Sequence, residues 1–187
     1  MRTLIVTEFM SLDGVVDSPG GGEHPEAGWT FKDVPFLPEA YALKGTEQNE
    51  AGALMMGRIS YQEFAPIWPT MDEFAVYNAM PKYVVSTTLT ETDPGWQPTT
   101  ILKSLDEVAA LKQGDGGPIL VHGSPTLSKA LVAAGLVDRF NLLVFPLLLG
   151  AGKRLFDDAA GMTKLELVDS EAYGNGIIKS VYDVIRG

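Results

Sequence analysis

Three apolar runs in this chain each end in a turn rich in glycine or hydroxyl side chains. They are Ala53-Leu54-Met55-Met56 before Gly57-Arg58-Ile59-Ser60, Tyr83-Val84-Val85 before Ser86-Thr87-Thr88, and Ile119-Leu120-Val121 before His122-Gly123-Ser124-Pro125-Thr126. Unbroken apolar runs of this length are how parallel strands covered on both faces read. Residues 3–10 alternate instead and predict a first strand. Asp138 to Phe145 predicts a long strand, with Pro146 marking a bulge or an edge. Leu165 to Glu171 and Ile177 to Ile185 predict two more, joined through Tyr173-Gly174-Asn175-Gly176, where Asn-Gly signals a hairpin.

Between the strands the period changes. Leu37, Tyr41 and Lys44 or Gln48 predict a helix over about 37–49. A short helix opens at Gly57-Arg58, runs through Phe64 and is stopped by Pro66, and 71–79 forms another. Ser104-Leu105-Asp106-Glu107 reads as a capping box for a helix reaching Gly114. A further helix has Ser124 as N-cap, Pro125 at its first position, Leu127 and Leu131 four apart and Gly135 at its end. Strand and helix alternate over two-thirds of the chain and strands follow. The pattern is that of an α/β protein, a mostly parallel sheet with antiparallel strands added at one edge. No repeat or linker divides residues 1–187, so a single domain is expected.

From Ser11 to about Pro38 the chain carries Pro19-Gly20-Gly21-Gly22, His24-Pro25, Gly28 and Pro35. A structureless stretch of that length inside a domain is functional or disordered. Its apolar members Trp29, Phe31 and Phe36 can fold over a pocket as a lid, the alternative being a solvated excursion.

Charge narrows the partners. With 14 basic and 24 acidic residues the formal charge is −10, which argues against nucleic acid and anionic membrane, since both select basic patches. There is no cysteine, and neither His24 nor His122 has zinc-ligand spacing, so no metal site is expected. The N-terminus lacks a signal peptide's apolar core, and Leu142 to Leu149 is too short to span a bilayer; a soluble cytoplasmic protein is the expectation. That same apolar stretch suggests a strand edge through which two copies pair as a homodimer.

A small anionic ligand remains compatible if a few donors are placed locally. Three turns at strand ends, one with an arginine, point to a long phosphate-bearing cofactor lying across the carboxyl ends of the sheet. Gly57 permits close backbone approach, and Arg58 offers a planar fork of donors for phosphate oxygens. Ser86 and Thr87 supply hydroxyls for a ribose 2′-phosphate, or are ordinary turn residues. Neither G-x-G-x-x-G nor a Walker loop is present. His122 reads as a strand-end residue without a catalytic role. Asp13 ends the first strand beside the lid, either as a turn former or as the acid that relays a proton during reduction of a C=N or C=O bond. Glu8 shares a strand face with Leu4, Val6 and Met10, where a half-buried acid has a raised pKa; otherwise it pairs with a surface lysine. Tyr61, Phe64, Trp29 and Trp68 can stack on a flat heterocycle, or serve only as core.

Several motifs occur in a recognisable order. They are Ser11-Leu12-Asp13-Gly14, Met56-Gly57-Arg58-x-Ser60-Tyr61, Lys82-x-Val84-Val85-Ser86, Val121-x-Gly123-Ser124, Gly135-Leu136-Val137-Asp138 and Phe145-Pro146-x-Leu148-Leu149-Gly150-x-Gly152-Lys153-Arg154-Leu155-Phe156. Together they resemble the dihydrofolate reductase-like family related to the reductase domain of the bifunctional riboflavin biosynthesis deaminase-reductase. The resemblance implies a three-layer α/β/α dihydrofolate reductase-like fold and NADPH as hydride donor. It implies Gly57, Arg58, Ser60 and Tyr61 at the cofactor phosphates, Ser86 and Thr87 near the adenosine 2′-phosphate, and Gly123, Ser124, Thr126 and Leu127 along the pyrophosphate and nicotinamide ribose. The Ser11 to Gly14 loop, with Leu12 and Asp13, lies against nicotinamide and substrate in this reading; Trp29 and Trp68 are further substrate-contact candidates from their stacking capacity alone. The substrate class implied is a pterin, folate or riboflavin-pathway pyrimidine; a carbonyl compound is also compatible. A binding protein of the same fold with little or no turnover is the alternative. The chain departs from the pattern where His122-Gly123 replaces a Gly-Gly pair, where Pro125 removes an N–H, and where Arg139 replaces an acidic residue. It has no zinc deaminase motif.

Overall fold

A computed structural model of the chain describes residues 1–156 and 161–186. Eight strands form one sheet: β1 (Leu4–Ser11), β2 (Ala53–Gly57), β3 (Lys82–Val85), β4 (Thr99–Leu102), β5 (Ile119–His122), β6 (Arg139–Phe145), β7 (Leu165–Ala172) and β8 (Ile178–Val184). Their order is β4-β3-β2-β5-β1-β6-β8-β7, parallel from β4 to β6 and antiparallel for β8 and β7. The helices are α1 (Trp29–Lys32), α2 (Ala42–Glu50), α3 (Arg58–Phe64), α4 (Ala75–Ala79), α5 (Leu105–Gln113) and α6 (Pro125–Ala133).

Side-chain alternation sends each central strand's residues to two cores. Leu4, Val6, Ala53, Met55, Ile119 and Val121 pack with Val108 of α5 and Leu127 and Leu131 of α6. Ile5, Leu54, Met56, Val84 and Leu120 pack on the other side with Tyr61, Ala65, Trp68, Tyr77 and Trp96. Both faces being covered explains why β2 and β5 read as unbroken apolar runs. β1 lies between β5 and β6, so the order of connection reverses there, and the crevice beyond its carboxyl end is the expected ligand position.

Several expectations shift. The 37–49 helix begins as a 3₁₀ turn, Pro38–Tyr41, and the 71–79 helix as Asp72–Phe74, before each becomes α-helical. β4 was not foreseen: Thr99-Thr100-Ile101-Leu102 becomes a strand by pairing with β3. The run from Leu142 is not an edge, because β6 is hydrogen-bonded on one side to β1 and on the other to β8. The terminal strands of the sheet are β4 and β7, and β7 leaves Leu165, Leu167 and Val168 in solvent. The 11–38 segment is only partly lid-like. Trp29 is wholly buried edge-on against Phe145, its Nε1–H donating to the Asp17 carbonyl at 2.8 Å, whereas Phe31 and Phe36 are exposed. No helix among the described residues is long and apolar enough to cross a membrane.

Candidate active site

The turns after β2 and β5 meet. The Gly57 N–H donates to Ser124 Oγ at 2.9 Å, bringing the start of α3 beside the start of α6. Gly123 and Ser124 both adopt left-handed backbone (φ 60° and 67°). For serine that costs on the order of 1 kcal/mol. The turn corrects the expected capping: the Ser124 side chain makes no bond to its own helix, because the left-handed backbone turns its hydroxyl toward Gly57. The first-turn N–H groups of α6 have no partner within the helix, although Pro125 contributes none.

Gly57 faces Ser124 and Leu127, and Gly123 faces Ser60 and Phe64, so a Cβ at either would narrow the space between the two helix starts. Arg58 is exposed at the rim, with Nη1 donating to Gln62 Oε1 at 2.7 Å. Glycine backbone, helix N–H groups and one guanidinium form a donor set suited to a dinucleotide's phosphates.

Other expected contacts have different work. The Tyr61 ring is buried against Trp96 with centroids 5.7 Å apart, and its oxygen accepts the Asp93 N–H at 2.6 Å. Ser60 is buried, and the Leu127 side chain belongs to the core, which leaves backbone as its contribution. Thr126 is exposed at the first turn of α6. Ser86 Oγ accepts the N–H groups of Thr88 (3.2 Å) and Leu89 (2.9 Å), holding the turn, while Thr87 projects into solvent. Trp68 is sandwiched between Phe64 and Phe74 at 4.3 and 4.2 Å, so neither ring face can receive a heterocycle. Burial likewise removes Trp29 from substrate stacking. Leu12 is 65 % exposed beyond the end of β1.

Asp13 is the clearest change of role. Its Oδ1 accepts from Ser11 Oγ (2.6 Å) and the Leu149 N–H (3.1 Å), and its Oδ2 accepts from the Gly150 N–H (2.8 Å). The Ser11 hydroxyl bond first, then the two backbone amides, hold its pKa down to about 2. A carboxyl that stays ionised has no proton to give near neutrality. Asp13 instead ties the 11–17 loop to the 147–155 loop. Leu12 N–H to Leu147 O, Val16 N–H to Lys153 O and Leu155 N–H to Gly14 O complete the seam. Arg154 Nε donates to the Asp13 carbonyl.

Sequence reading missed a polar cluster on the face of the sheet under α2. Thr7 of β1 stands in register between His122 of β5 and Asn141 of β6. The buried Glu47 accepts from Thr7 Oγ1 (2.8 and 2.7 Å) and from Asn141 Nδ2 (2.6 Å). Lys44 lies 3.5 Å from Glu47, donates to Thr7 Oγ1 and sits over the Phe9 ring at 5.0 Å. Burial, then the nearby Lys44 charge, pushes the His122 pKa down to about 3, so the ring is neutral. The available signal was Asn141, a polar residue inside the apolar run Phe140-Asn141-Leu142-Leu143-Val144. Glu8 points to the opposite face, where desolvation raises its pKa to about 8 and Oε1 has no partner among the described residues.

Comparison with known proteins agrees with this architecture. The protein YyaP of Bacillus subtilis strain 168 is 28% identical over 189 residues, covering 97% of this chain and 94% of its own. A Shewanella sp. PV-4 protein with a suggested role in riboflavin biosynthesis superimposes with a TM-score of 0.76 at 22% identity, covering 98% and 99% of the two chains. Dihydrofolate reductase from Enterococcus faecalis, complexed with NADP(H) and RAB-propyl, superimposes with a TM-score of 0.63 at 15% identity, covering 98% and 97%. The fold is therefore dihydrofolate reductase-like, a reductase-type fold. The RibD C-terminal domain model matches residues 2–179, and the chain belongs to that family.

Proposed function

We propose that this protein is an NADPH-dependent reductase of a small heterocyclic substrate (pterin, folate or pyrimidine-like) or a carbonyl compound, acting as one cytoplasmic domain. The observation that carries the reading is the cradle where α3 and α6 begin, with Gly57 and the Gly123-Ser124 turn joined by the Gly57 N–H bond. Backbone there would hold the pyrophosphate, and Arg58 the 2′-phosphate. NADPH when bound supplies a hydride. The chain's part is to orient the dinucleotide and exclude water, with the 11–17 and 147–155 loops knitted beside the site.

Arg58→Ala tests the reading. Loss of a charge-assisted contact is worth ~1.5–3 kcal/mol, so calorimetry should show NADPH binding weakened by at least tenfold and NADH binding little changed. Equal losses for both would remove Arg58 from the 2′-phosphate, and absence of binding by wild-type protein would end the reductase reading.

A second reading, a nucleotide- or pterin-binding protein with little turnover, is favoured by the ionised Asp13 and by the missing N–H at Pro125. Rapid NADPH oxidation with any of dihydrofolate, the riboflavin-pathway pyrimidine or an aromatic aldehyde would exclude it. For assembly, the exposed edge strand β7, with Leu165, Leu167 and Val168 in solvent, supports a homodimer. Sedimentation at micromolar concentration should give twice the chain mass; a single monomer boundary would remove the proposal.

A further inference from the structure

Resting on the reductase reading, we propose that Lys44 donates the proton in the reduction, and that Thr7, Glu47 and Asn141 position it. Reduction of C=N or C=O needs a proton as well as a hydride. Four other acids near the crevice are unsuited by their place in the fold, and Glu47 is engaged in accepting from Thr7 and Asn141. Asp13 is held ionised by the loop amides it joins. Glu8 is sealed on the opposite face of the sheet. His122 is packed against Phe64, Trp68 and Tyr77. Tyr77 is buried in the same aromatic group.

Lys44 differs in geometry and access. Its side chain is 14% exposed while that of Glu47 is 3% exposed, so the lysine is the member of this ion pair that reaches a surface. It lies over Phe9 near the carboxyl end of β1, close enough to His122 for its charge to act on that ring. His122 directly precedes the Gly123-Ser124 turn of the cradle. The ammonium donates to Thr7 Oγ1, pairs with Glu47 Oε2 at 3.5 Å and lies over the Phe9 ring; no second hydrogen-bond acceptor holds it among the described residues. Because Thr7 receives from Lys44, its own hydroxyl proton goes to Glu47, and Asn141 Nδ2 donates to the same carboxylate. This directed chain fixes the ammonium. Among the described residues the buried Asn141 Oδ1 and His122 Nδ1 have no hydrogen-bond partner, so the polar cluster around Thr7 is not fully satisfied by the protein itself. Lys44 and Glu47 cancel in charge, which suits an uncharged group: a carbonyl oxygen or an imine nitrogen.

The step balances simply. The substrate carbon gains a hydride from the reduced nicotinamide, forming a C–H bond. The π pair moves to oxygen or nitrogen, which takes one proton from Lys44 Nζ. The neutral amine then regains a proton from solvent through its exposed side. The substrate gains two electrons and two hydrogens, and the nicotinamide is oxidised.

The test uses full-length protein, NADPH, and dihydrofolate, 5-amino-6-(5-phosphoribosylamino)uracil and 4-nitrobenzaldehyde as acceptors. Lys44→Ala should lower kcat at least 100-fold on whichever acceptor the wild type reduces, with calorimetric NADPH affinity within twofold of wild type. Added ethylamine should restore part of the rate with saturation. Lys44→Arg keeps the charge but cannot release a proton, and should stay as slow as Lys44→Ala. A near-normal Lys44→Arg, or no rescue by amine, would overturn the proposal by leaving Lys44 a structural charge. NADPH binding with no acceptor reduced would overturn it too. Failure of wild-type protein to bind NADPH is the separate result that removes the reductase reading itself.

Discussion

Glu47→Ala is expected to destabilise the protein by ~3 kcal/mol, a large share of a domain's usual ~5–15 kcal/mol. Glu47 is the common acceptor of Thr7 and Asn141 and the ion-pair partner of Lys44. Removing it leaves a fully buried hydroxyl and a buried amide without their acceptor, each costing about 1–3 kcal/mol. Lys44, partly exposed, can turn toward water, which keeps the loss near the lower end for a broken buried pair. Glu47→Gln keeps one oxygen acceptor, and its loss should be about half as large. Urea unfolding is the measurement. An unchanged midpoint for Glu47→Ala would mean that water already satisfies the cluster.

Glu8→Met should act in the opposite direction. Desolvation moves the Glu8 pKa from 4.5 to about 8 in the folded protein, the Lys44 charge opposing only in part. Between those values the native state keeps a proton that the unfolded chain releases, so stability falls as pH rises through this window. At about 1.4 kcal/mol per unit, the contribution at pH 7 is a cost of ~3 kcal/mol. Methionine has similar volume, does not titrate, and removes the unpartnered Oε1. Glu8→Met is therefore expected to gain ~1–3 kcal/mol at pH 8 and much less at pH 5. The urea midpoint of wild type should drop between pH 5 and 8 relative to the variant's. Parallel behaviour of the two would show that Glu8 is hydrated in the native state.

These two acids sit one residue apart from each other's chemistry: Glu8 next to Thr7 in sequence, Glu47 bound to Thr7 in space. Alternation on β1 separates them to opposite faces of the sheet, which is why one is an orphan and the other the hub of a network. The same alternation made Glu8 legible in advance, as an acid on the face of Leu4, Val6 and Met10. Glu47 was not legible, because an Ala-Leu-Lys-Gly-Thr-Glu-Gln-Asn-Glu helix has polar residues on every side and only packing selects the one that turns inward.

The sequence by itself determined the ends of the central apolar strands and the proline start and glycine end of α6, since side-chain period, proline at a helix start and glycine at its end act within a few residues. It determined the family too, because short motifs kept their order along the chain. Tertiary structure alone decided that Thr99–Leu102 is a strand, since four residues with two threonines acquire that state from the ladder to β3. It also took the Ser124 hydroxyl from its own helix to Gly57, and made Asp13 a seam between loops 136 residues apart. Finally, it gathered Thr7, Lys44, Glu47 and Asn141 from three distant segments. Register and burial are properties of neighbours, and no local pattern encodes which neighbours a residue will have.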